Sequence, residues 1–69
     1  MEVNNMAVHK TKLAQVLAKQ GRKKSWLAEA LHVDRSTITR WVKGETNPRE
    51  WRKVQIARLL GLPIRKLWP

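Results

Sequence analysis

The sequence contains no cysteine. That excludes disulfides and thiolate metal sites, and it fits a reducing cytoplasm. Only two histidines occur, His9 and His32, too few and too far apart to suggest zinc. No metal or other cofactor is therefore expected. No apolar run approaches the roughly 20 residues that span a bilayer. The opening "MEVNNMAVHK" lacks the apolar stretch of a secretory signal. No segment alternates apolar and polar residues with the period of two that marks a half-buried strand.

Acidic residues are scarce as well. Five Asp and Glu stand against fifteen Lys and Arg, a formal charge of +10 with a pI near 11.4. A field of that sign in so short a chain favours a polyanionic partner, nucleic acid or an anionic membrane. A membrane-surface binder would be one continuous basic amphipathic helix. Gly21, Gly44 and Gly61, with Pro48 and Pro63, instead cut this chain into short periodic pieces. With 69 residues, one small domain is expected.

Residues 1–8 carry no pattern and read as a flexible N-terminal arm, leaving 9–69 as the domain. Its "HKTK" start can follow a DNA backbone or simply remain solvated. Helix 1 is expected from about Lys10 to Gln20, with Leu13, Val16 and Leu17 as its apolar stripe and Gly21 as its stop. Helix 2 covers about Lys24–Leu31, with Leu27, Ala28 and Leu31 facing inward. A three-residue link, "HVD", leads to helix 3, about Arg35–Lys43. There Asp34 is placed to cap with its carboxylate the amides of Ser36 or Thr37. Helix 4 runs from about Arg49 to Leu60, with Val54, Ile56, Ala57, Leu59 and Leu60 as buried candidates. Pro63 opens a short helix 5, "PIRKLW", with Ile64, Leu67 and Trp68 on one side. The expected fold class is all-α, a bundle of about five short helices.

On a helical wheel, Ile38, Trp41 and Val42 fall on one side of helix 3. Ser36, Thr39, Arg40 and Lys43 fall on the other, with Arg35 at its edge. By itself that outward face is also what any solvated helix shows. Its chemistry nonetheless suits base edges: Arg pairs with guanine in a bidentate manner, Ser and Thr bond several edges, and a Thr methyl meets a thymine methyl. Helix 2, a short link and helix 3 form a helix-turn-helix, whose second helix enters the major groove. Lys23 and Lys24, with Arg22 beside them, open helix 2, where amides and cations can face a phosphate. Lys43, Thr46, Asn47 and Arg49 form a second cationic cluster after helix 3. Two backbone clamps thus flank one reading helix; such clamps set register without reading sequence.

The run "WLAEALHVDRSTITRWVKGETNP" resembles the Cro/repressor helix-turn-helix family, also called XRE-like or lambda-repressor-like. The matching features are Leu27–Ala28 in helix 2, His32–Val33–Asp34 in the turn, Thr37–Ile38 in helix 3, and the closing Gly44 and Pro48. "IARLLGLPIRKLW" is similar to the family's fourth and fifth helices. The resemblance covers about residues 10–68. It implies base reading by Arg35, Ser36, Arg40 and Thr39, and backbone contacts from Lys24, Lys43, Thr46 and Asn47. Three departures stand out. His32 replaces the usual turn glycine, and His tolerates a left-handed backbone better than most residues. Val42 stands where many members carry a Glu paired with an Arg on helix 1; the matching position here is Leu17, so an apolar contact is expected. Arg22 and Lys23 replace an apolar residue and a hydroxyl cap, leaving Ser25 as a possible cap of helix 2.

Four tryptophans are present. Trp41 and Trp68 sit at core spacings, whereas for Trp26 and Trp51 packing and a half-exposed place near DNA or a dimer contact both remain open. Glu29 and Ser25 share an exposed helix without a histidine base, so no enzyme activity is expected. The resulting expectation is a sequence-specific regulator of transcription that binds double-stranded DNA, of phage or prophage type and cytoplasmic. Since the sequence ends at the bundle, no effector or protease domain is expected. The alternative is a DNA-tethering module of a transposase or recombinase. A homodimer on a palindromic operator is expected, through the apolar end formed by Leu62, Ile64, Leu67 and Trp68; the alternative is that Leu67 and Trp68 simply close the core.

Overall fold

In the computed structural model, which describes residues 11–69, the chain forms four α-helices and one 3-10 turn. They are α1 (Lys12–Lys19), α2 (Lys24–Leu31), α3 (Arg35–Lys43), α4 (Glu50–Leu60) and the turn Ile64–Lys66. No strand occurs among the described residues. The expected arm, residues 1–8, and the expected helix start at Lys10 lie outside them.

The expected fifth helix is thus only a single 3-10 turn. Pro63 takes the extended N-cap conformation rather than the first helical position. A six-residue segment is too short to repay helix nucleation by itself. What holds it is the side chain of Leu67, 3% exposed, together with the Trp68 amide donating to the Ile64 carbonyl.

Each α-helix contributes a short apolar set to one core. Leu13, Ala14 and Leu17 come from α1, and Leu27, Ala28 and Leu31 from α2. Ile38, Trp41 and Val42 come from α3, and Ile56, Ala57 and Leu60 from α4. The inward faces of α2 and α3 follow the sequence reading, and α1 does so at Leu13 and Leu17, but Ala14 is buried there and Val16 is only partly buried. On α4 the reading is corrected: Val54 and Leu59 are exposed. At 100° per residue, Ile56, Ala57 and Leu60 already fill an arc that faces the core, and Val54 and Leu59 fall outside it.

Leu17 and Val42 are both buried, and no polar or charged side chain is buried among the described residues. Apolar residues thus occupy both positions at which the resemblance placed an ion pair, an exchange that is often neutral or stabilising.

Helix starts differ more from expectation than helix ends. Asp34 holds the N-cap position of α3 with extended backbone, but its side chain makes no capping bond. Lys23, not Ser25, is the N-cap of α2, also without a side-chain cap, and Ser25 lies within the helix. The one side-chain cap among the described residues is Thr11, unforeseen in the sequence. Its Oγ1 accepts from the Ala14 amide at 3.0 Å and donates to the Val42 carbonyl at 2.7 Å. One hydroxyl therefore starts α1 and ties it to the last turn of α3.

The helix ends share one geometry. After each helix a left-handed residue lets the next amide donate five residues back, as in Val33 to Ala28 and Glu45 to Arg40. Three of these left-handed residues are glycines; the fourth is His32, at φ 58° and ψ 45°. It allows the sharp turn between α2 and α3 at a cost of about 1–2 kcal/mol for an L-residue. His32→Gly is expected to remove that strain and to lose about 0.5–1 kcal/mol through the freer unfolded chain. The net should be a melting temperature roughly 2–6 °C higher by circular dichroism. A lower value would mean that the imidazole makes stabilising contacts that outweigh the strain.

Candidate nucleic-acid interface

α2 and α3 pack against each other across the His32 turn, and α1 packs against α3. α3 is anchored by Ile38, Trp41 and Val42, so its orientation is set by the core. Arg35, Ser36, Arg40 and Lys43 are exposed on the opposite side, where the wheel placed them. Thr39 is half-buried, and its hydroxyl donates to the Arg35 carbonyl at 3.1 Å. Its proton is therefore committed to its own helix, leaving an acceptor oxygen and a methyl group. No acidic residue lies within α3; Asp34 and Glu45 flank its two ends.

Lys23 and Lys24 are exposed at the start of α2, a helix end that no side chain caps. Arg22 joins them with its guanidinium 4.3 Å above the centre of the Trp26 ring. Trp26, left open by the sequence, is partly buried against the core. Its i+4 spacing from Arg22 was the available signal for this stack. The pairing restrains a cation at the α2 clamp.

On the other flank, Thr46, Asn47 and Arg49 are exposed around buried Pro48. Arg49 is the N-cap residue of α4 rather than its first turn. The Thr11–Val42 hydrogen bond brings the start of α1, and with it exposed Lys12, to this end of α3. A Cβ at Gly44 would stand 3.2 Å from Cγ2 of Thr11, and φ there is +82°, so glycine is required at this join. Nothing in the sequence signalled the join, because its two sides are 31 residues apart.

The four residues expected at a dimer contact lie at the C-terminal end of the fold. Leu67 is a core residue, and Leu62, Ile64 and Trp68 are partly buried against that core. The Trp68 ring also lies 5.7 Å from Nζ of Lys53. The large exposed apolar side chains among the described residues are instead Trp51, Val54 and Leu59, all on α4. None of the described helices is long and apolar enough to cross a membrane.

A buried helix pair joined by a tight turn, with a polar cationic face on its second helix, defines a helix-turn-helix DNA-binding domain. The helix-turn-helix family model matches residues 13–67, and the chain belongs to the Cro/C1-type helix-turn-helix family, the XRE family. By class it is a DNA-binding transcription regulator, and its partner is double-stranded DNA. No curated protein matches the chain.

Proposed function

We propose that this chain is a sequence-specific repressor-type regulator, of phage or prophage kind, that docks in the lambda-repressor manner with α3 in the major groove. The supporting observation is the outward face of α3. Arg35, Ser36 and Arg40 are exposed on a helix whose other side is locked into the core. Arg35 and Arg40 are suited to guanine edges, and Ser36 and the Thr39 methyl to smaller contacts. Lys23, Lys24, Lys43, Thr46, Asn47 and Arg49 hold phosphates on either side.

It acts in the cytoplasm by occupying an operator, without catalysis. Two copies on a palindrome place two reading helices about one helical turn, roughly 34 Å, apart. Selection of bound sites from random duplex DNA tests this reading. A recovered inverted repeat supports it; recovery of unrelated sequences would sink it.

A further inference from the structure

α4 has a second organised face. Trp51, Val54, Gln55, Arg58 and Leu59 recur at i, i+3, i+4, i+7 and i+8 and line a shallow groove on the side away from the core. Trp51 is 60% exposed, although such a ring is usually mostly buried. Its neighbour Arg52 holds it from one side, with the guanidinium 4.3 Å from the ring centre. Arg52 is itself fixed by bonds to the Leu31 carbonyl and to Oε1 of Gln55. The indole is therefore held outward rather than loose.

From this face we infer that α4 is a self-association surface, pairing antiparallel with α4 of a second copy about a two-fold axis near Gln55. The charge pattern argues for a second copy. Glu50 stands beside the N-terminal end of the face, one residue before Trp51, and Arg58 lies on the face near its C-terminal end. Both are exposed, and neither has an ion-pair partner among the described residues. A two-fold axis brings each end against its opposite. Trp51 then meets Arg58 and Leu59 of the second copy, with Glu50 within reach of that same Arg58. Each contact occurs twice, as self-complementary interfaces require.

The size argues for weak pairing. Eleven residues of helix give a contact about 16 Å long and 10 Å wide, a fraction of the roughly 800 Å² per partner buried in stable complexes. Two chains each carrying +10 also repel. The pairing is thus favoured where charge is neutralised, by salt or by a shared duplex. It deepens the dimer reading above by naming the interface, and it can be tested without DNA.

The chain has no cysteine, so Gln55→Cys introduces the only thiol; it removes one of the two bonds to Arg52 and leaves the one to the Leu31 carbonyl. Under mild oxidation in high salt, it should form a covalent dimer at least about 10-fold faster than Ala30→Cys, an exposed control on α2, since only the first places two thiols near the axis. Adding Trp51→Glu should abolish the advantage. At about 0.1 M salt, where an exposed pair in contact is still felt, adding Glu50→Arg or Arg58→Glu alone should slow it about 3- to 5-fold, and adding both should restore it, on the scale of exposed ion pairs. Equal rates for Gln55→Cys and Ala30→Cys would overturn the proposal. Failure of the double charge swap to restore dimer formation would do so too, assigning the face to a different partner. Circular dichroism of each variant separates lost pairing from lost folding. Since no DNA is present, the result stands whether or not α3 reads bases.

Discussion

Arg40→Ala is expected to weaken binding to the selected DNA site by about 5- to 150-fold, the equivalent of ~1–3 kcal/mol for one base-reading guanidinium. Binding to random duplex should fall far less. The argument rests on position. Arg40 is exposed near the middle of α3's outward face, whereas Trp41 beside it points into the core. Arg40 is thus where a side chain anchored by the fold reaches furthest without disturbing packing. Lys43 supplies the contrast. It is exposed at the end of the helix, and Lys43→Ala should weaken specific and random DNA about equally while reducing the salt slope by about one ion. Titration of both variants against both duplexes at several salt concentrations separates the roles. Equal losses on both duplexes for Arg40→Ala would refute base reading by α3.

The second large effect is on folding. Trp41→Ala should cost about 3–5 kcal/mol, the range for deleting a buried aromatic side chain. A domain of this size has a total stability of only about 3–10 kcal/mol. The expected result is a loss of more than about 12 °C in melting temperature, or an unfolded chain at 25 °C. Trp41 is 9% exposed and shares the core with residues from every other helix. Its removal would unseat α3 even if the helix itself persisted. Urea unfolding by circular dichroism measures the effect. A loss under about 1 kcal/mol would show that the core can collapse around the gap.

The core faces of α2 and α3, and that of α1 at Leu13 and Leu17, could be read directly from the sequence, because each helix carries apolar residues at three-to-four spacing and ends at a residue suited to a left-handed backbone. His32 followed the same logic, although it is not glycine. The outward face of α3 followed from those inward residues. The errors have a common cause: they concern contacts between segments, or competition between two apolar sets on one helix. On α4, Val54 and Leu59 are as apolar as Ile56 and Leu60, and only packing against the other helices selects which set is buried. Leu67 is likewise assigned to the core by its neighbours and not by its spacing. Asp34 has the composition of a cap, yet its backbone alone takes the role.

The bond from Thr11 to the Val42 carbonyl also bears on how the protein is handled. Thr11 lies beside the final turn of α3, the part of the molecule proposed to meet DNA. A polyhistidine tag or fluorescent fusion attached upstream would therefore be tethered within reach of that surface, adding charge or bulk there. Quantitative binding work on this chain calls for an untagged N-terminus or for a tag that is removed first.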